Sequence, residues 1–128
     1  MKKITSEWIK KAEGDFKVAN RESVTKDPVY DSICFHCHQC IEKYLKAILV
    51  ENNISFEKIH DLEILMDHCK SILSELENNR ENFIWLTQFS VRIRYPGFDA
   101  TKRDAKKAIS IAKKLRGIIR KFLRLGID

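Results

Sequence analysis

The stretch Asp27-Pro28-Val29-Tyr30-Asp31-Ser32-Ile33-Cys34-Phe35-His36-Cys37-His38-Gln39-Cys40-Ile41-Glu42-Lys43-Tyr44-Leu45-Lys46-Ala47 decides the fold. Asp followed by Pro predicts a helix cap at Asp27 and a first helical residue at Pro28, because the N–H that Pro lacks is one the first turn leaves unpaired. Ile33, Cys37, Cys40, Ile41, Tyr44, Leu45 and Ile48 then recur at spacings of one, three and four, which carries one helix to about Glu51. Asn52-Asn53 closes it.

The same periodicity extends outward in both directions. Upstream, Trp8, Ile9, Ala12, Phe16 and Ala19 form a helical stripe behind Thr5 or Ser6, either of which can cap. Downstream, a third helix starts at His60-Asp61 and runs along Leu62, Leu65, Met66, Cys69, Ile72, Leu73 and Leu76. A fourth covers about Glu81 to Arg94 with Phe83, Leu86, Phe89 and Ile93 inward, and Pro96-Gly97 stops it by forcing Tyr95 out of helical geometry. A fifth spans about Thr101 to Leu125, opened by a capping-box-like Thr101/Asp104 pair. Ala105, Ala108, Ile109, Ala112, Leu115, Ile119, Phe122 and Leu123 line its apolar side. Ile111, Ile118 and Leu125 are left over, and the reading places some of them at a subunit contact. No stretch alternates long enough to be a strand. Long amphipathic helices with short links predict one all-α domain over residues 1–128, an up-and-down bundle of about five helices around a four-helix core.

Composition agrees. At 128 residues the chain has the size of one domain. Its 44% apolar and 33% charged content suits a globular chain rather than a disordered one. Four Gly and two Pro are too few for the turns of an all-β fold. No apolar run approaches the ~20 residues of a membrane span, and the charged N-terminus has no signal-peptide core, so the expected location is the cytosol. The net charge is +6, but Lys102 to Asp128 alone holds ten basic and two acidic residues. That basic end reads as a contact for an acidic partner such as RNA, or as a solvated helix face.

Cys34, Cys37 and Cys40, with His36 and His38 between them, superficially suggest a metal site. On a helix, residues six apart are about 9 Å apart along the axis and about 120° apart in rotation. Three such cysteines do not converge on one tetrahedral ion, and the pattern reads as small buried residues packed against a neighbour, with no metal and no cofactor. Cysteines three apart on a helix are also poorly oriented for a disulfide.

Several phrases together resemble the HEPN domain family. Phe35, His36, Gln39, Glu42, Lys43, Leu45, Lys46 and Ala47 match its second-helix phrase; Trp8, Ala12 and Asp15 match its opening one. His60-Asp61-Leu62 matches the start of its third helix and Arg94-Tyr95-Pro96 the end of its fourth. The resemblance implies a dimeric helical bundle, often encoded beside a minimal nucleotidyltransferase and read with it as a toxin–antitoxin module. Many members are proposed RNases with an Arg-x4–6-His site. That spacing is absent from this chain, because its last His is His68 and the only Arg before a His, Arg21, is far from His36.

The candidate site residues follow. Arg92, Arg94 and Tyr95 offer planar forks for phosphate and a ring for stacking, although residues two apart on a helix point apart. Lys43 is a further candidate phosphate contact. Arg94 is alternatively expected to pair with Asp15 or Glu42 and tie the bundle end together. Glu42 and Lys46, spaced i and i+4, should pair on the helix surface. His60 is the candidate proton-transfer group. Tyr30, Tyr44 and Tyr95 are each candidate acceptors of a nucleotidyl group. Three functions stay open: a nucleotide- or RNA-binding homodimer partnering a nucleotidyltransferase, a metal-independent RNase using His60 with Arg92 or Arg94, and a ligand-free oligomerisation scaffold.

Overall fold

In the computed structural model, which describes residues 1–127, five helices share one hydrophobic core. They are α1 (Lys3–Ser23), α2 (Tyr30–Glu51), α3 (Leu62–Cys69), α4 (Arg80–Thr87) and α5 (Lys102–Phe122), with 3₁₀ turns at Ser74–Asn79 and Arg92–Arg94. None of these helices is long and apolar enough to cross a membrane.

The central helix is α2. From Cys40 to Leu49 every residue but Lys43 is buried, the pattern of a helix surrounded by others. It packs on α1 along its whole length, then on α5 and α3. Its side-chain partners across the α1 interface run in opposite order: Thr5 meets Glu51, Glu13 meets Tyr44, Asp15 meets His36 and Glu22 meets the Val29 backbone. The two helices are therefore an antiparallel hairpin. Contacts from Asp31 to Ala100 and from Tyr44 to Arg120 run in the same order, so α5 lies parallel to α2, returned there by the 88–101 link.

The helix ends differ from the sequence expectation in instructive ways. The second helix begins at Tyr30, with Val29 as its cap residue, rather than at Asp27-Pro28. The Glu22 carboxylate accepts the Val29 N–H at 2.8 Å, which pulls the link back along α1 and leaves Asp27 and Pro28 in the turn. Likewise α1 starts at Lys3, ahead of the expected caps. Thr5 is buried within it and donates its hydroxyl to Glu51 at 2.7 Å, joining the ends of α1 and α2. The third and fourth segments keep their apolar stripes but not continuous α-helix. Leu76 is buried by a 3₁₀ turn beyond α3, and Phe89 and Ile93 are buried beyond α4. Thr87 closes α4: its hydroxyl donates to the Phe83 carbonyl and accepts the Leu62 N–H.

Other ends fall where the residues dictate. Asp61 caps α3 by accepting the N–H of Glu63 at 2.9 Å, and Thr101 and Asp104 form a complete capping box on α5. Tyr95 is extended before Pro96, and Gly97 turns the chain at φ +100°, where a Cβ would be strained. After α2, Asn53 adopts φ +58° and the Ile54 N–H reaches back to the Leu49 carbonyl. After α5, Arg124 does the same at φ +61°, with the Leu125 N–H on the Arg120 carbonyl. Ile111 is buried in the monomer core, a correction to its assignment as a spare subunit-contact residue; Ile118 and Leu125 are half-buried.

Candidate functional site

The polar residues of α2 gather into two clusters. In the first, Asp15 of α1 accepts from Lys43 Nζ at 2.6 Å and lies 2.8 Å from His36 Nδ1. A carboxylate at Nδ1 accepts the N–H of that nitrogen and, in the neutral ring, leaves Nε2 as the free acceptor, the tautomer a proton-transfer histidine needs. His36 and Lys43 remain about a quarter exposed. Beside them a groove of about 650 Å3 runs along α1, its lining including Glu7, Lys10, Lys11, Asp15, Val18 and Lys43.

In the second cluster Glu42 is nearly enclosed. It accepts from Lys46 Nζ at 3.1 Å and lies 2.9 Å from His60 Nδ1. The Glu42–Lys46 pair forms as its spacing requires, but as a buried pair rather than a surface one: the Lys46 ammonium lies 5.6 Å from the Trp8 ring centre and 5.7 Å from that of Phe56. His60 has the same tautomer-fixing arrangement as His36, with its side chain mostly exposed. Buried His38 braces the second cluster, donating Nε2–H to the His60 carbonyl at 2.9 Å, with its Nδ1 3.1 Å from the Gln39 amide. Burial pushes its proton affinity down, against the opposing pull of the Glu42 charge and those hydrogen bonds.

Arg94 pairs with neither Asp15 nor Glu42, a correction to the expected ion pair. Both carboxylates are taken by nearer cations, and the Arg94 guanidinium lies over the Phe35 ring at 5.5 Å. Phe35 in turn meets His36 edge-on, so Arg94, Phe35, His36, Asp15 and Lys43 form one continuous run. Arg92 points the other way, over Phe98 at 4.2 Å, so the two arginines do not share a pocket. Tyr95 is 60% exposed beside Arg94.

A third network escaped the sequence reading. Arg116, 6% exposed, donates from Nε and Nη2 to the two oxygens of Glu13, each at 2.7 Å, and lies over the Phe16 ring at 4.5 Å. Tyr44 donates its buried hydroxyl to Glu13 and accepts from Arg120 at 2.9 Å. Burial pushes the Tyr44 phenol above its ordinary range, as does the charge of Glu13, and the group is enclosed. Tyr44 is therefore removed from the candidate nucleotidyl acceptors. The one available signal was Arg116 standing on the apolar stripe of α5, between Ala112 and Ile119.

All four cysteines are buried and free. Burial pushes the Cys34 and Cys69 thiols to about 12, and Cys37 and Cys40 also rise, so all are unreactive thiols near neutrality. Among the described residues no three His, Cys, Asp or Glu side chains are grouped to hold a metal ion.

The chain matches the family model of the HEPN domain over residues 5–122 and belongs to that family. It is 25% identical, over 91% of its length and 86% of the relative's, to a Methanocaldococcus jannaschii protein described as "Putative toxin MJ1304". No solved structure gives a significant match.

Proposed function

We propose that this chain is the helical subunit of a two-component, toxin–antitoxin-type module, that it pairs with a second copy of itself, and that its partner is a minimal nucleotidyltransferase. Family membership and the description of the archaeal relative support the module. The observation that carries the finer reading is the run from Lys43 through Asp15 and His36 to Arg94, ending at exposed Tyr95. Lys43 and Arg94 supply the cations for a nucleotide or RNA phosphate, and Tyr95 supplies an accessible ring and hydroxyl. In the nucleotidyl transfer, the Tyr95 oxygen attacks the α-phosphorus of a nucleoside triphosphate bound to the partner. Pyrophosphate leaves, and the phenolic proton passes to a base.

The test is recovery of the tagged chain from its native cell, followed by intact-mass and peptide measurement. Recovery of a nucleotidyltransferase, with a nucleotidyl mass increment that vanishes in Tyr95→Phe, supports the reading. An unmodified protein that brings down no partner overturns it.

A second reading, a metal-independent RNase, is favoured by one observation: Glu42 lies 2.9 Å from His60 Nδ1 while the His60 side chain stays mostly exposed. The placement of the arginines weighs against it, since Arg94 lies over Phe35 in the Asp15 run and Arg92 over Phe98, while His60 belongs to the Glu42 cluster. RNA cleavage that is lost in His60→Ala would establish it, and the same rate in that variant would end it.

A further inference from the structure

The α1–α2 link and the first turns of α2 and α5 enclose a crevice of about 300 Å3 that shares no lining residue with the clusters above. Lys26, Lys102 and Lys106 bring three ammonium groups to it, Tyr30 a ring and hydroxyl, and Ile33 and Ile109 an apolar wall. No carboxylate lines it. The neighbouring acids hold backbone N–H groups instead: Glu22 that of Val29 at 2.8 Å, Asp31 that of Ala100 at 2.7 Å and Asp104 that of Thr101 at 3.0 Å. Asp27 is exposed and outside the lining. The acids thus fix the link and the entry to α5, while the three lysines form no ion pair among the described residues.

Like charges gathered without a counter-charge repel one another, and a bound anion relieves that repulsion. The volume is at the lower end for small-molecule sites, enough for a single small ligand and not for a polymer. The apolar wall beside the lysines suits a ligand with a charged end and a flat or aliphatic body. We propose that this crevice is a binding site for a small phosphate monoester, with Lys26, Lys102 and Lys106 on the phosphate and the body against Tyr30, Ile33 and Ile109. The site is independent of the function proposed above, and its failure leaves that reading intact.

Isothermal titration of the full chain with inorganic phosphate and with AMP, each against chloride at matched ionic strength, tests it. Saturable binding of one equivalent is expected. It should weaken by about tenfold or more in the exposed pair Lys26→Gln/Lys106→Gln, with an unchanged circular dichroism spectrum. Lys17→Gln/Lys58→Gln removes the same charge from exposed positions elsewhere and should leave binding within about twofold. AMP should bind more tightly than phosphate, because the wall takes its body; equal affinity overturns the assignment of Tyr30, Ile33 and Ile109 to the body of the ligand. No saturable binding of either probe, unchanged binding in the Lys26/Lys106 variant, or equal loss in both variants overturns the proposal.

Discussion

Replacing Glu13 by Ala should strand a buried guanidinium. Arg116 is 6% exposed, and among the described residues its two hydrogen bonds to Glu13 are its only contacts with a carboxylate. Without them it keeps the Ile127 carbonyl and the face of Phe16, and Tyr44 loses the acceptor for its hydroxyl. Truncating one member of a buried ion pair costs about 3–5 kcal/mol. Glu13 is itself a third exposed, so its carboxylate is already partly hydrated and the expected loss is nearer about 3 kcal/mol. For a chain of this length that lowers Tm by roughly 10 °C. Urea melts of Glu13→Ala, Arg116→Ala and the double variant measure the coupling, expected at about 1.5–3 kcal/mol. Burial raises the Glu13 carboxyl, but the hydrogen bonds from Arg116 and Tyr44 and the charges of Arg116 and Arg120 outweigh it, so the group sits below its ordinary value of 4.5. Its contribution is therefore complete above about pH 4.5 and lost as the pH falls through the lowered folded-state value. Additive single variants, or a Glu13→Ala loss below about 1 kcal/mol, would refute the assignment of this network as the pin between α1, α2 and α5.

Three further outcomes are expected. Thr101→Ala removes the side-chain half of the α5 capping box and should cost about 1 kcal/mol in a thermal melt. Arg124→Gly replaces a side chain held at φ +61° and should stabilise by about 0.5–1 kcal/mol; an unchanged or lower Tm would show that the Arg124 side chain compensates. His38 is buried with its proton affinity lowered below the ordinary 6.5. The unfolded chain therefore binds that proton more readily, and stability is complete above about pH 6.5 and declines below it, by at most about 1.4 kcal/mol per pH unit. Denaturant midpoints between about pH 7.5 and pH 5.5 should fall less in His38→Gln than in the parent chain, and equal slopes would contradict a neutral His38.

Periodicity sufficed for the helices because burial on one face is a local property of the sequence. It failed where hydrogen bonding changed without a change in burial. Leu76, Phe89 and Ile93 continue the apolar stripes of α3 and α4, so the passage into 3₁₀ turns leaves no mark on spacing. The start of α2 failed for a different reason. Asp27-Pro28 is a sound local start signal, but Glu22 competes for the chain from the preceding helix, and that competition exists only once α1 and α2 lie together.

The same distinction separates what was legible in the candidate site. Asp15 and Glu42 are legible as candidate partners of Arg94, and Glu42 also as the surface partner of Lys46. Which donor each takes is a matter of reach in the folded chain, and His36, Lys43, Lys46 and His60 all reach before Arg94. The two resulting clusters have the same composition, one carboxylate, one histidine and one lysine, but different surroundings. Lys46 is held beneath Trp8 and Phe56 beside an enclosed Glu42, so moving it toward a ligand would open the core. Lys43 borders the α1 groove with Asp15 also held by His36. Swinging Lys43 from Asp15 to an incoming phosphate would leave that carboxylate with His36 as a hydrogen-bond partner. Burial, rather than residue type, thus makes the Glu42 cluster a fixture of the bundle and leaves the Asp15 cluster free to exchange its cation with a ligand.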